Sequence, residues 1–168
     1  MGFGDLALVT PKDTKVCNRA KVIQRASGAT DVLKNAQVFS SLGDALDGTN
    51  VWCGTGMPHD MYQKRTERSY LNPRDFFEQL AEANKLETMS GTEDVLVQNL
   101  QRDQIQLALI FGSEKTGMDE CDMDMCHTML GIPTNPNFSS LNLAAAVQLI
   151  AYDWRVAIGG HGSYQSIC

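Results

Sequence analysis

Polar, glycine-bearing segments follow two short apolar runs in the second half of the sequence, and they carry residue types that suit ligand binding. The run Leu107–Phe111 breaks at Gly112 into the turn Ser113–Gly117, which contains the carboxylate of Glu114. The run Met129–Ile132 meets a proline and then an Asn-Pro-Asn turn. Each run has the length of one buried strand. In parallel sheets, ligands bind at the carboxyl ends of strands, where loops expose backbone N–H and C=O groups, so we expect a ligand site there.

A long apolar segment follows the second turn and predicts a helix. The segment Leu141–Tyr152 is apolar almost throughout, and the predicted helix continues to Ala157. Such a composition indicates burial on several sides, either in a large core or at a subunit contact. Ser139 and Ser140 stand where the helix N-cap belongs. Asn142 then falls inside the first turn, where asparagine has poor helix propensity.

Taken together, these segments resemble the second and third motifs of the SPOUT RNA 2'-O-methyltransferases, within them the TrmH/TrmJ-like (SpoU) family. The matching stretches are Phe111-Gly112-Ser113-Glu114-Lys115-Thr116-Gly117-Met118, Ile132-Pro133-Thr134-Asn135-Pro136 and Ser139-Ser140-Leu141-Asn142-Leu143-Ala144-Ala145-Ala146-Val147. Their order and separation make the match far more specific than a lone glycine pattern. A looser resemblance covers most of the upstream chain, through Leu8–Pro11, Ala26–Ala29, Asp31–Leu33 and Val51–Thr55.

The resemblance implies a ribose 2'-O-methyltransferase that uses S-adenosyl-L-methionine and acts on RNA, with tRNA favoured over rRNA. The ribose oxygen would attack the methyl carbon directly, without a metal. Implied cofactor-binding residues, acting largely through backbone atoms, are Thr55, Gly56, Gly112, Ile132, Ser140 and Leu141. The implied catalytic residues, which position reacting groups and the RNA, are Glu114, Ser140 and Asn142.

Strands that alternate with helices predict an α/β fold with a parallel sheet flanked by helices. The predicted strands upstream of the motifs are Leu6–Val9, Gln37–Phe39 and Val51–Cys53. The predicted helices are 14–26, Ser41–Leu46 and a later helix that has Asn72 as its N-cap and Pro73 as its first residue. The resemblance adds a C-terminal deep trefoil knot and a homodimer, to which the helix from Leu141 would contribute. We expect one methyltransferase domain over residues 1–158 and a flexible tail over 159–168.

Two departures from the family pattern leave an alternative open. The family's first motif, an Asn-x-Gly-x-x-Ala-Arg segment, should precede the strand Leu6–Val9, and its arginine is absent here. We therefore expect a chain shortened at its start, with weak activity. Arg65 and Arg68 are candidate RNA-binding residues in place of a basic family segment, although solvated surface arginines are commoner. The alternative function is a non-catalytic cofactor- or RNA-binding dimerisation module. A dinucleotide-binding enzyme is disfavoured because no GxGxxG follows the first strand.

Composition narrows the class of protein further. The chain has 168 residues, a net charge of -6 and a pI near 4.9, which disfavours a broad nucleic-acid-binding face but leaves room for a local basic patch. Five irregularly spaced cysteines indicate reduced thiols and a cytoplasmic protein. No apolar run has membrane-spanning length, so we expect no membrane association. Cys121, Cys126 and His127 lack a second ligand pair, so we expect no metal.

Overall fold

The computed structural model describes residues 3–56, 69–86, 105–135, 137 and 141–159. Its elements in chain order are β1 (Ala7–Val9), a 3-10 helix (Val16–Asn18), α1 (Ala20–Arg25), α2 (Thr30–Asn35), β2 (Gln37–Phe39), α3 (Leu42–Leu46), β3 (Val51–Gly56), β4 (Tyr70–Leu71), α4 (Pro73–Leu86), β5 (Leu107–Ile110), α5 (Glu120–Met125), β6 (Thr128–Gly131) and α6 (Leu143–Ala157). No helix in these ranges is long and apolar enough to cross a membrane. The predicted tail lies outside them, apart from Gly159.

The chain forms two compact units, which we call the N-terminal unit (2–48) and the main unit (49–168, with residue 1). In the N-terminal unit, β1 and β2 pair in parallel, with Ala7 opposite Gln37. Helix α3 begins after Ser41, whose hydroxyl oxygen accepts a hydrogen bond from the Asp44 backbone N–H at 3.1 Å. Strands β1 and β2 and the capped helix α3 are therefore confirmed. The expectation of one domain over 1–158 stays a prediction.

The single helix predicted over 14–26 is wrong in its first half. The chain forms a turn of 3-10 helix, becomes extended at Arg19 and turns helical again only from Ala20. Local hydrogen bonds explain the break, because they compete with a continuous helix. The carboxylate of Asp13 accepts from the Lys15 backbone N–H at 3.0 Å and from the Arg19 guanidinium at 2.8 Å.

The main unit is built on a four-stranded parallel sheet in the order β4-β6-β3-β5. Strand β3 is interior, with Cys53 opposite Leu109 of β5 and Thr128 of β6. Side chains buried against one another in its core come from β3, β6 and the two long helices, and they are Val51, Cys53, Phe76, Phe77, Leu80, Leu130 and Ile150. The predicted α/β architecture with a parallel sheet and flanking helices is confirmed.

The two long helices of the main unit are joined by an ion pair. Helix α4 begins as predicted, since Asn72 Oδ1 accepts from the Arg74 backbone N–H at 3.0 Å and Pro73 needs no hydrogen-bond partner there. The Arg74 guanidinium then donates two hydrogen bonds to Asp153 Oδ1 in α6, at 2.9 and 3.1 Å. Because these bonds favour the charged guanidinium, they raise the pKa of Arg74.

Helix α6 begins later than predicted, and the predicted capping residue is wrong. The N-cap is Asn142, whose backbone is extended and whose Oδ1 accepts from the Ala145 backbone N–H at 2.8 Å. Asparagine is as favourable as serine at the N-cap. Its poor propensity for the helix interior therefore does not matter here, because it lies one residue before the helix. Asn142 therefore stabilises the start of α6.

The apolar surface of α6 divides into two faces within the described chain. Ile150 is fully buried and Ala151 nearly so, whereas Leu149 and Tyr152, on the opposite side of the helix, are 44% and 50% exposed. The sequence predicts burial on several sides, as core or as subunit contact. The interpretation as core is wrong for the outward face, because the core formed by the described residues covers only one side of the helix.

Candidate functional site

The carboxyl ends of three adjacent parallel strands bring four predicted cofactor-binding residues to one edge of the sheet. Strand β3 ends at Thr55 and Gly56, and Gly56 lies opposite Gly131, the last residue of β6. Ile132 follows directly. On the other side of β3, Gly54 lies opposite Ile110, the end of β5, two residues before Gly112. The structure thus gathers Thr55, Gly56, Gly112 and Ile132, as a ligand site at strand ends requires.

The Thr55 hydroxyl links two of these strand ends. It donates a hydrogen bond to the Ile110 carbonyl at 2.9 Å, in a partly buried position. The carbonyl of the last β5 residue is therefore satisfied by a side chain from the neighbouring strand. Because the hydroxyl proton is committed to Ile110, Thr55 has mainly its backbone groups to offer a ligand, which agrees with the backbone role implied by the motif.

The turn after β5 closes on itself, and we call it the motif loop (Ser113–Gly117). The backbones of its two end residues exchange hydrogen bonds of 2.9 Å in each direction. The hydroxyls of Ser113 and Thr116 lie 2.6 Å apart, and Ser113 Oγ accepts from the Thr116 N–H at 3.1 Å. Gly117 has a φ of +73°, in the left-handed region that glycine adopts without strain. These contacts fix the shape of the loop from within the chain.

Gly112 is required by the motif loop that follows it. A methyl group built on its Cα would overlap the backbone carbonyl carbon of Gly117 and the backbone nitrogen of Met118. Backbone atoms of a closed loop cannot move aside as the end of a flexible side chain can. Gly112 therefore permits the close approach of two backbone segments at the edge where the cofactor residues meet.

Apolar residues adjoin the ends of these strands. Phe111 and Ile132 are partly buried and pack against the core of the main unit. On β3, a side chain at Gly54 would meet Met129 Sδ at 2.5 Å and Cys126 Sγ at 2.8 Å, so this glycine makes room for the Met129 side chain. Sequence reasoning missed the role of Gly54, which depends on side chains about 70 residues away. The result is an edge at which apolar side chains lie next to partly buried glycine main chain.

Of the predicted catalytic residues, Glu114 and Asn142 are described, while Ser140 lies outside the described residues, as do Arg65 and Arg68. Glu114 is exposed on the motif loop, and Asn142 is exposed at the start of α6, next to Leu141. In the part of the chain that is described, no hydrogen bond joins Glu114 to Asn142. The amide of Asn142 uses its oxygen as the helix cap, which leaves its N–H groups as donors.

The cysteine and histidine side chains near β3 have structural partners. Cys126 Sγ donates to the Asp122 carbonyl at 3.3 Å, and His127 Nδ1 accepts from the Trp52 backbone N–H at 3.0 Å. Among the described residues, no three His, Cys, Asp or Glu side chains are grouped as a metal site would require. Cys53 is fully buried, and burial, with a smaller contribution from Cys126, raises the pKa of its thiol to about 12.

Comparison with known proteins agrees with the motif resemblance. Residues 1–152 match the SpoU rRNA Methylase family. The chain is 35% identical over 158 residues to the tRNA (cytidine/uridine-2'-O-)-methyltransferase TrmJ of Pectobacterium atrosepticum, a match that covers 94% of this chain and 55% of that protein. The chain thus spans about half the length of the curated relatives it matches.

Solved structures give the same fold. A probable methyltransferase from Bordetella pertussis Tohama I aligns with a TM-score of 0.72 and 27% identity, over 94% of this chain and 81% of the other. TrmJ from Z. mobilis ZM4 aligns with a TM-score of 0.66 and 29% identity, over 91% of this chain and 57% of the other. Both comparisons extend over the N-terminal and main units, so the similarity is not confined to the motif segments.

Proposed function

The chain belongs to the SpoU rRNA Methylase family, and from that membership we propose that it is an RNA ribose 2'-O-methyltransferase that uses S-adenosyl-L-methionine and acts on tRNA. The observation that carries this proposal is the edge where Thr55, Gly56, Gly112 and Ile132 meet at the ends of three parallel strands. Relatives named as tRNA 2'-O-methyltransferases support tRNA as the substrate.

The residues at this edge fit the cofactor. An adenine ring needs apolar contacts on its faces and hydrogen-bond partners at its rim. Partly buried Phe111 and Ile132 supply the first, and the main chain of Gly56 and Gly112 supplies the second. Leu141, which is 36% exposed, and Ser140 are the further proposed cofactor-binding residues from the third motif. S-adenosyl-L-methionine, when bound, supplies an activated methyl group.

We assign the polar side chains beside the cofactor edge to the RNA. The Asn142 N–H groups can donate to a ribose or phosphate oxygen, while its Oδ1 stays on the helix backbone and fixes the orientation of the amide. The exposed Glu114 carboxylate accepts hydrogen bonds and suits the 2'-hydroxyl. Ser140 is the third proposed catalytic residue. Arg65 and Arg68 are retained as weaker candidates for RNA contacts.

We further propose a homodimer that uses the outward face of α6. Leu149 and Tyr152, three residues apart on one helix face, are exposed in the single chain, and two large apolar side chains there favour burial against a second surface. The deep trefoil knot is proposed from family membership. The free cysteines among the described residues support a cytoplasmic location.

Calorimetric titration with S-adenosyl-L-methionine, followed by an assay for 2'-O-methyl groups in bulk tRNA, tests the proposed function. We expect binding in the micromolar range, about -8 kcal/mol, and weak incorporation of methyl groups into tRNA. Binding without methyl transfer would instead support the non-catalytic module. A folded protein that neither binds the cofactor nor methylates tRNA would contradict the methyltransferase and the cofactor-binding form of that module.

A further inference from the structure

A basic segment lies within this acidic protein. Between Lys12 and Lys34 the sequence has six basic side chains and two carboxylates, whereas the whole chain has a net charge of -6. All six basic side chains are exposed. The segment includes the 3-10 helix, α1 and most of α2, and it belongs entirely to the N-terminal unit.

Ion pairs neutralise only part of this positive charge. The Arg19 guanidinium lies 2.8 Å from an Asp13 oxygen, and Lys34 Nζ lies 3.0 Å from an Asp31 oxygen. These pairs use both carboxylates of the segment. The remaining basic residues make no ion pair within the described part of the chain, and they are Lys12, Lys15, Lys21 and Arg25.

The charges on α1 do not serve the stability of that helix. Its N-cap, Arg19, makes no side-chain capping bond, and its first turn contains Lys21 and no acidic residue. Cations at this end oppose the helix dipole, which favours negative charge there. Lys21 and Arg25 are four residues apart, so two like charges share one face and repel each other. Only Arg25, in the last turn, is favoured by the dipole.

We propose that Lys21 and Arg25, with Lys12 and Lys15, form a surface that binds the phosphate backbone of the RNA substrate. Exposed, unpaired Lys and Arg side chains bind nucleic acid by releasing the counterions of its phosphates. An anionic membrane surface would also require an apolar helix face, and Ile23 is the large apolar side chain that α1 exposes. This inference rests on the proposed function, since it adds a contact surface for the same substrate.

Equilibrium binding of bulk tRNA at several salt concentrations tests the proposal with two matched double variants. K21Q/R25Q removes two unpaired cations, and R19Q/K34Q removes two paired cations from the same unit. We expect K21Q/R25Q to weaken tRNA binding at least ~10-fold at low salt and to lower the slope of log affinity against log salt by ~1–2. R19Q/K34Q should change affinity less than about threefold, because its two cations are already neutralised. Equal losses in both variants, or no loss in either, would overturn the proposal.

Three further measurements separate charge from folding and RNA from a lipid surface. The charge-preserving variant K21R/R25K should bind as the unmodified protein does, and a loss there would refute a role for charge. If K21Q/R25Q loses its helical circular dichroism, the tRNA affinity of K12Q/K15Q, whose substitutions lie outside α1, is measured instead, with the same expected result. Binding of the unmodified protein to phosphatidylserine vesicles as tight as to tRNA would overturn the choice of RNA. If the unmodified protein binds the cofactor and methylates tRNA, but K21Q/R25Q binds tRNA with unchanged affinity, this inference alone is overturned. If the unmodified protein neither binds the cofactor nor methylates tRNA, the proposed function is overturned.

Discussion

The backbone N–H of Trp52 donates a hydrogen bond to Nδ1 of His127 at 3.0 Å, and the two rings stack with their centroids 4.7 Å apart and an interplanar angle of 18°. The backbone N–H of His127 donates in turn to the Trp52 carbonyl at 2.9 Å. The imidazole therefore extends the pairing of β3 with β6 by one residue before β6 begins. At this end of the sheet, a side-chain nitrogen accepts the hydrogen bond that a backbone carbonyl oxygen of the neighbouring strand would ordinarily accept.

Two substitutions at His127 separate the hydrogen bond from the stacking. His127→Phe retains an aromatic ring against Trp52 but removes the acceptor, so we expect a loss of about 0.5–1.5 kcal/mol in the free energy of unfolding. His127→Asn supplies an acceptor without the ring and should lose the stacking contribution, about 0.5–1.5 kcal/mol. Urea denaturation followed by tryptophan fluorescence measures both. A Phe variant as stable as the unmodified protein would show that the hydrogen bond contributes nothing.

Substitution of Gly112 should disrupt the motif loop. In Gly112→Ala the new methyl group would overlap the backbone of Gly117 and Met118, so the loop must open or shift. We expect a loss of at least ~10-fold in affinity for S-adenosyl-L-methionine, about 1.4 kcal/mol, measured by calorimetry. Gly28→Ala is the matched control, because nothing lies within 4 Å of the methyl group it would add. Unchanged affinity in the Gly112 variant would place the cofactor away from this loop.

Asn142 has a capping role and a proposed catalytic role that can be measured separately. Asn142→Ala removes the cap of α6 and should cost about 1 kcal/mol in the free energy of unfolding. Asn142→Asp retains a capping oxygen but has no amide N–H groups, so stability should be preserved while methylation of tRNA falls. Thermal denaturation and the methylation assay report the two quantities. Full activity in a stable Asp variant would limit Asn142 to capping.

The two faces of α6 predict opposite outcomes for substitutions on neighbouring residues. Leu149→Asp and Tyr152→Asp place a charge on the outward face, so the chain should remain folded while the proposed dimer dissociates, as light scattering would report. Ile150→Ala instead leaves a cavity in the core and should cost about 2–5 kcal/mol. Gln24→Asp, at an exposed position on α1 in the N-terminal unit, is the control for added charge. A monomer in the unmodified protein would refute the dimer.

The buried thiol of Cys53 should make the protein lose stability in alkali. Its pKa is raised from 9.0 to about 12 in the folded chain, so its contribution is fully present below pH 9. As the pH rises from 9 towards 12, the unfolded chain loses the proton first, and the free energy of unfolding falls by up to about 1.4 kcal/mol per pH unit. In Cys53→Ala, the part of the decrease in the free energy of unfolding between pH 9 and pH 12 that comes from this thiol should be absent. Cys121→Ala, at an exposed position, should retain it.

Elements with local signals could be predicted from the sequence. Strand β2 and the start of α4 after Asn72 lie where they were predicted, because turn residues and a Pro at the first helical position mark their ends. The gathering of Thr55, Gly112 and Ile132 also followed, since parallel strands present their carboxyl ends at one edge. The sequence signals for these features lie within a few residues of each element.

Other features depend on contacts that sequence spacing does not reveal. The sequence pattern favours Ser139 or Ser140 as the cap of α6, whereas in the structure the side-chain oxygen of Asn142 accepts from the Ala145 N–H. The two-residue strand β4 is too short to leave a pattern. The bond between Trp52 and His127 joins residues 75 positions apart, and the Thr55 hydroxyl reaches a carbonyl 55 positions away. Each of these depends on the register of the folded sheet.

The motif loop has its shape before any ligand arrives, because the hydrogen bonds between Ser113 and Gly117 are made within the chain. Its conformational entropy is therefore lost when the protein folds rather than when the cofactor binds. Ordering a loop or side chain on binding usually costs about 0.5–1.5 kcal/mol for each group immobilised, and this edge avoids that cost. Cofactor binding therefore needs no rearrangement of the motif loop, so differences in affinity among ligands that share the adenosyl group should arise from their dissociation rates.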